Sequence, residues 1–231
     1  MKNITLSLLL LLIVACGSDQ KNMQVKGTIK GLKKGTVYLT KANDTAFVAI
    51  DSFQVNKDDD YKFSLSANIE EPEAFYLELD DTADKDNRIT FFGHKGLTTI
   101  NTTLKDFGFD TKIEGSKEQQ LLEEYILYMR KFQDQSLDLF KQSVDARTNK
   151  DELAYLASLK RIKNHKKRQY LYTTNFALAN KNSVVAPYIA LTEINDANIN
   201  LLDTINGALT KDIKASKYGK ALNQYIKGLS K

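Results

Sequence analysis

The chain has one cysteine, two histidines, two prolines and no tryptophan among its 231 residues. A single cysteine excludes an intramolecular disulfide and a Cys-x-x-Cys pair, which thiol–disulfide exchange of that kind requires. The two histidines stand 71 positions apart, at 94 and 165, and neither has a second ligand at metal-binding spacing. No serine has a histidine partner or an elbow glycine pattern. We therefore expect no catalytic residues, no metal, no cofactor and no enzyme activity.

Charge of one sign is also scarce. The chain has 33 basic and 29 acidic residues, so its formal net charge is only +4. Such a balance does not indicate a strongly charged partner, and we expect no nucleic-acid partner. The remaining composition is ordinary for a globular protein.

The first sixteen residues carry the clearest signal. Lys2 precedes a short apolar run at residues 6–14, and the sequence Ile-Val-Ala-Cys ends at Cys16. The run is too short to span a bilayer, which needs about 20 residues. A charged residue, an apolar run and a small residue before a cleavage point are typical of exported proteins. The pattern resembles a bacterial lipoprotein signal peptide at residues 1–15, with Cys16 lipidated and residues 16–22 as a polar tether.

Alternatives to this interpretation are an ordinary signal peptide with Cys16 as a bystander, or a buried N-terminal helix. Each buried CH₂ of an acyl chain contributes about 0.8 kcal/mol, so several chains on Cys16 would anchor the protein firmly. We expect a lipid-anchored protein of the cell envelope, on the outer membrane and facing the periplasm.

Residues 23–114 alternate between apolar and polar side chains, which is typical of strands with one buried face. The alternation predicts strands at 24–29, 36–40, 46–55, 61–65, 74–79, 88–92 and 97–103. Turn-forming residues separate these runs. From Ser116 the apolar spacing becomes helical, and Ser116 with Gln119 matches a capping box. Helices are predicted from 116 onward, with apolar anchors up to Val144, and at 150–180, 183–193, 198–209 and 216–229.

The predicted fold class is therefore α+β. An antiparallel β-sandwich or open barrel at 23–114 precedes a helical domain at 115–231. In the first two helices we expect the apolar residues to face the core. These residues are Leu121, Leu122, Tyr125, Ile126, Met129, Phe132, Phe140 and Val144, then Leu153, Leu156, Leu159, Ile162, Tyr170 and Phe176.

Several strand segments resemble, in their order, the N-terminal DUF4369 domain found in lipoproteins of Bacteroidetes. The segments are Val-Lys-Gly-Thr-Ile-Lys-Gly-Leu at 25–32, Gly-Thr-Val-Tyr-Leu at 35–39, Ile-Asp-Ser at 50–52, Glu-Pro-Glu at 71–73, Phe-Tyr-Leu at 75–77 and Ile-Glu-Gly-Ser at 113–116. The resemblance covers residues 23 to about 120. In many members this region precedes a thioredoxin-like domain, and residues 216–222 resemble the helix before it. Because this chain has no Cys-x-x-Cys, the family's redox chemistry is carried over to none of its residues.

Other candidate sites are weaker. His94 lies between two glycines and is interpreted as a turn residue. His165 lies in a basic run at 160–168, interpreted as a solvated helix face, with anionic lipid or glycan as the alternative contact. The acidic clusters at 58–60 and 80–87 lack the spacing of an EF-hand and are interpreted as polar turns.

Thr45 and Thr82 each stand in an Asp-Thr-Ala sequence. These short sequences resemble the sites at which Bacteroidetes O-glycosylate exported proteins, and both fall in predicted loops. Thr45 and Thr82 are therefore candidate O-glycosylation sites.

Two functions follow as hypotheses. The first is a membrane-anchored envelope lipoprotein with a non-enzymatic binding or docking role, whose partners are the membrane, through lipidated Cys16, and an envelope protein. Its expected contact surface is the edges of the β domain and the loops around His94. The alternative is an accessory subunit of an envelope thiol–disulfide system that lacks its own redox domain.

Overall fold

The computed structural model describes residues 21–43, 46–80 and 88–229. In these ranges, eight strands form two four-stranded sheets, and helices follow them along the chain. The strands are β1 (Met23–Lys30), β2 (Gly35–Asn43), β3 (Ala46–Val55), β4 (Lys62–Ala67), β5 (Glu73–Leu79), β6 (Ile89–Gly93), β7 (Gly96–Thr103) and β8 (Lys112–Glu114). A short 3-10 helix, Lys57–Asp59, precedes β4. The predicted α+β class is confirmed, and the two sheets do not close into a barrel.

The first sheet has the strand order β4-β1-β7-β8 and the second has the order β3-β2-β5-β6. All pairs are antiparallel except β1 with β7, which run parallel from Met23 opposite Gly96 to Lys30 opposite Thr103. This is the one difference from the antiparallel sandwich that the alternation predicts. Strands β2 to β6 lie between β1 and β7 in the chain, so no tight turn joins the two strands and they can run in the same direction.

Apolar side chains from both sheets fill the sandwich core, among them the fully buried Val25, Leu39 and Phe91. Gly27 on β1 lies directly beside the backbone carbonyl of Ile100 on β7, where a Cβ atom would overlap it. Glycine is therefore required for the close approach of these two strands.

The two sides of the sandwich differ. On one side β3 lies against β4, and the carboxylate of Asp51 accepts a hydrogen bond from the Ser66 backbone N–H at 2.7 Å. On the other side β6 and β8 end their respective sheets, and the described residues show no pairing between them. The sandwich is therefore closed along one edge and open along the other.

The helices are α1 (Lys117–Thr148), α2 (Glu152–Ala179), α3 (Val185–Glu193), α4 (Ile199–Ala208), α5 (Lys211–Ala215) and α6 (Lys217–Leu229). The first two form an antiparallel hairpin, and α3, α4 and α6 pack beside its base. Ser116 Oγ accepts a hydrogen bond from the Gln119 N–H and so begins α1. None of the described helices is long and apolar enough to cross a membrane.

The sandwich and the helices share buried contacts. Phe92 of β6 is fully buried among helix residues and meets Tyr188 edge to face at 5.1 Å. The largely buried carboxylate of Glu73 bonds to Lys217 at the start of α6, and Tyr218 Oη accepts a hydrogen bond from the Ala74 N–H. The start of α6 is thereby fixed to the second sheet.

The expectation that the apolar residues of the hairpin all face the core is wrong for its outer half. Exposed anchors are Phe140, Val144, Leu153, Leu156 and Leu159. Among the apolar side chains, none of α1 after Phe132 and none of α2 before Tyr170 belongs to the helical core or packs on it. The outer turns extend past the other helices, so no residue in the described part of the chain covers these apolar side chains.

Candidate binding cleft at the open edge of the sandwich

The open edge of the sandwich borders a cleft of about 630 Å³. Its walls are the start of β6, the loop before β8, β8 itself and the first four turns of α1. The lining residues are Arg88, Ile89, Thr90, Gly108, Phe109, Asp110, Thr111, Lys112, Ile113, Gln119, Glu123, Ile126, Leu127 and Arg130. Its size falls in the range of ligand-binding clefts.

Backbone groups of β6 point into this cleft. The Phe92 N–H is directed away from β5, because it donates to Gln119 Oε1 at 2.8 Å. Alternate residues of a strand share a direction, so the N–H and C=O of Thr90 also point outward from the sheet. In the part of the chain that the structure describes, no strand pairs with this outer side of Thr90, which therefore offers a strand position at the wall of the cleft.

The first turns of α1 cover the other half of this edge. Gln119 is almost fully buried, with 1% of its surface exposed, and its Nε2 donates to Glu123 Oε1 at 2.9 Å. The predicted capping box at Ser116 is thus only half formed. The hydroxyl caps Gln119, but the Gln119 side chain turns to the Phe92 backbone, because a buried strand N–H needs an acceptor.

The loop at residues 104–111 forms the outer wall. Phe107 is buried and fixes the loop to the sandwich, whereas Phe109 is 76% exposed. The Asp110 carbonyl accepts a hydrogen bond from Thr102 Oγ1 at 2.9 Å. Arg130 of α1 donates to the Phe109 carbonyl at 3.4 Å, which joins the loop to the helix across the cleft. Phe109 is held in place by its backbone while its ring stays free for a partner.

Cations predominate at the rim of the cleft. Arg88 lies 3.5 Å from the Glu78 carboxylate, and its guanidinium stacks 3.9 Å above the Phe47 ring. Lys112 bonds to Glu114 at 2.7 Å, and this hydrogen bond raises the pKa of Lys112 and lowers that of Glu114. Both groups therefore stay charged near neutral pH.

The lining has several features that suit an extended peptide. Among the described residues that line the cleft there is no histidine, cysteine or serine. An exposed aromatic ring, apolar side chains and an unpaired strand position are the features that hold an extended peptide.

The residues singled out from the sequence lie elsewhere. His94 is in the turn between β6 and β7, with Nδ1 3.4 Å from Thr98 Oγ1, and does not line the cleft. His165 is buried in the hairpin, where it bonds to the Phe132 carbonyl through Nε2 and accepts from Arg168 at Nδ1. Cys16, Thr45 and Thr82 lie outside the described residues. In the described part of the chain, no group of three His, Cys, Asp or Glu residues is placed to hold a metal.

Sequence reasoning missed Thr90, Phe109 and Arg130 as site residues. Thr90 gave no signal, because strand alternation does not show which strand ends a sheet. Phe109 could have been noticed, because an aromatic residue in a loop with glycine and aspartate is not part of a strand or helix that would bury it.

Residues 23–122 match the family model of DUF4369, a domain of unknown function. The match confirms the resemblance seen in the strand segments, and it extends into α1 as far as Leu122. It therefore includes Gln119, which covers part of the β6 edge. Neither the comparison with curated proteins nor the comparison with solved structures found a match.

Proposed function

We propose that this protein is a membrane-anchored envelope lipoprotein with a non-enzymatic docking role, and that its cleft receives an extended segment of a protein partner. The observation that carries the docking role is the outward-facing backbone of Thr90 inside a cleft of about 630 Å³. An added strand would pair with Thr90 and gain affinity through main-chain hydrogen bonds.

The side chains around Thr90 would select the partner. Phe109 and Leu127 expose apolar surface for alternate side chains of the added strand. Arg88, Lys112 and Arg130 place positive charge at the rim, beside Asp110 and Glu123. We expect a segment with apolar residues at every second position and a carboxylate near one end.

The anchoring part of the proposal rests on the sequence of the leader. A short apolar run that ends in Ile-Val-Ala-Cys supports lipidation of Cys16 and a location at the outer membrane, facing the periplasm. A tether would then hold the cleft near the membrane, where envelope proteins assemble.

The test is site-specific photocrosslinking of the full chain in its host, with a benzophenone amino acid at position 109. The matched control carries the same amino acid at Leu97, which is exposed at the start of β7 and lies outside the cleft lining. We expect one partner to be captured from position 109 and not from position 97. Adding Thr90→Pro should abolish the capture, because proline removes the N–H that pairs and is tolerated in edge strands.

Equal capture from both positions, or capture that survives Thr90→Pro, would contradict docking in the cleft. A captured protein with a thioredoxin fold and a Cys-x-x-Cys pair would instead favour the accessory role in thiol–disulfide exchange. Release of the protein from membranes by Cys16→Ala tests the anchor separately.

A further inference from the structure

Helix α2 has a strong excess of positive charge. It carries Lys160, Arg161, Lys163, Lys166, Lys167 and Arg168, and Glu152 is its only carboxylate. Lys166 bonds to Asp196 at 2.7 Å, whereas Lys163 and Lys167 are exposed and have no acidic neighbour on their own helix. The charge lies beside the outer half of the hairpin, where the leucines are uncovered.

Small residues join the two helices of the hairpin in its outer half. Ser143 and Ala146 of α1 are buried, as is Ser158 of α2. Further toward the base, His165 reaches the Phe132 carbonyl at 2.9 Å. These residues define the line along which α1 and α2 meet.

The residues that follow this line share one flank. In an antiparallel pair of right-handed helices, a residue one position after a contact residue points to the same side of the pair from either helix. Val144 follows Ser143 and Leu159 follows Ser158, so both lie on this side, which we name the apolar flank.

Helical spacing adds further members to the apolar flank. Leu137 and Phe140 stand seven and four positions before Val144, and Leu156 stands three positions before Leu159. Phe140 is 61% exposed and Leu137 is 68% exposed. The apolar flank is thus a broad leucine-rich surface drawn from both helices.

The opposite flank is polar. The residues one position before Ser143 and Ala146 are Gln142 and Asp145, and Asp138 stands four positions before Gln142 on the same side. Arg161 of α2 donates to Gln142 Oε1 at 3.1 Å. The carboxylates of Asp138 and Asp145 therefore face away from the apolar flank, whereas Glu152, seven positions before Leu159, lies at the end of that flank.

We propose that the apolar flank of the hairpin lies on the surface of an anionic lipid bilayer. An amphipathic helical surface with leucine and phenylalanine at its centre and lysine at its margin is typical of segments that lie in the headgroup region. Lys163 and Lys167 on α2 and Lys141 on α1 stand at that margin, where their ammonium groups reach anionic headgroups while their methylene stems cover apolar surface.

Charge also decides between a bilayer and a second copy of the chain. Two copies joined with α2 facing α2 would bring together two helices that each carry six cations and one carboxylate, and these would repel each other. An anionic bilayer offers the opposite charge. Lysines also lie beside apolar side chains in a groove of about 530 Å³ between α2 and α4, which Lys163, Lys167, Leu171 and Leu201 line.

The chain has no tryptophan, so a single introduced indole reports on one place. The experiment uses the full chain with Cys16→Ala, which cannot be lipidated, and compares Phe140→Trp on the apolar flank with Gln135→Trp as the control. Gln135 is exposed and lines a groove with Tyr128 and Arg168, away from Phe140. Emission is recorded with vesicles of phosphatidylcholine alone and of phosphatidylcholine with phosphatidylglycerol.

We expect the emission at position 140 to move to shorter wavelength with phosphatidylglycerol and to stay unchanged with phosphatidylcholine alone, while position 135 stays unchanged with both. Adding Lys163→Gln and Lys167→Gln should weaken the vesicle affinity by roughly 30-fold, since each lysine near the surface contributes about fivefold. If the apolar run at residues 6–14 caused the binding instead, the protein would bind both kinds of vesicle, and the emission at position 140 would not shift selectively.

Three results would overturn this inference. The first is unchanged emission at 140 with anionic vesicles. The second is an equal shift at 135 and 140. The third is a shift at 140 that grows with protein concentration without vesicles, which would assign the apolar flank to a second copy. None of these results bears on the cleft, which is tested at Phe109 and Thr90.

Discussion

Replacing Gln119 by methionine removes one acceptor and keeps the volume of the side chain. In the protein, Gln119 Oε1 accepts the hydrogen bond of the Phe92 N–H at 2.8 Å, and both residues are buried. Methionine would leave that strand N–H without a partner and out of reach of water. A buried backbone donor without an acceptor costs about 1–3 kcal/mol.

Urea denaturation followed by far-ultraviolet circular dichroism measures this loss. With an m value of about 2 kcal/mol/M, the midpoint should fall by about 0.5–1.5 M urea. Hydrogen exchange should also speed up at the Phe92 amide more than at the neighbouring Phe91 amide, which pairs with β5.

Gln120→Met is the matched control. It replaces glutamine by methionine in the same way, one position later, at an exposed residue of α1. Exposed substitutions of this kind change stability by about 0.5 kcal/mol or less. Equal midpoints for the two variants would show that the Gln119 hydrogen bond does not stabilise the edge of β6, and the reasoning would be refuted.

Two further predictions concern stability. Gly27→Ala should destabilise the protein by at least about 3 kcal/mol or prevent folding, because its Cβ would overlap the Ile100 carbonyl within the β1–β7 pair; thermal unfolding measures the loss. Asp196→Asn should lower the free energy of unfolding at pH 7 by less than about 1 kcal/mol, since the pair with Lys166 is exposed. Lys166 lowers the pKa of the Asp196 carboxyl. The pair's stabilisation is therefore fully present above the unfolded pKa of about 3.9, and it is lost as the pH falls through the lower folded pKa, where the two proteins should converge.

Each of these variants has a counterpart. Gly228 on α6 has open space around its Cβ position, so Gly228→Ala should leave stability unchanged or raise it by up to about 1 kcal/mol. Asp203 is exposed on α4 and has no ion pair in the described part of the chain, so Asp203→Asn should show no comparable pH dependence. A Gly27→Ala protein as stable as Gly228→Ala would contradict the close approach of β1 and β7.

Local periodicity predicted most elements because burial on one face imposes it. The seven predicted strands and the longer helices all appear, since each is long enough to show a period. The first half of β3 and the outer half of the hairpin have apolar side chains that are mostly exposed. β8 has three residues and α5 has five, too few for a pattern to stand out. Pairing of β1 with β7 brings together residues 73 positions apart, and no local pattern encodes it.

The candidate site was harder to predict than the fold. Thr90 matters because β6 is the last strand of its sheet, which depends on the order of all four strands. Gln119 followed a local rule in the sequence, yet its side chain serves a strand 27 positions earlier. The exposure of Phe140 and Leu159 could not be predicted either, because helical spacing predicts an apolar face but not whether another part of the protein packs on it.

Because Gln119 covers part of the β6 edge, it also affects the tendency of the protein to aggregate. Uncovered edge strands are templates on which identical molecules add end to side, and natural proteins guard against this with charges, bulges or a covering helix. Here α1, the helix that follows the sandwich, covers part of the edge strand. The sandwich therefore needs the start of α1 to stay soluble. A gene fragment that ended at Glu114 would encode all the described strands and still yield a product prone to aggregation, whereas one that included the first turns of α1 would also encode the cover of β6.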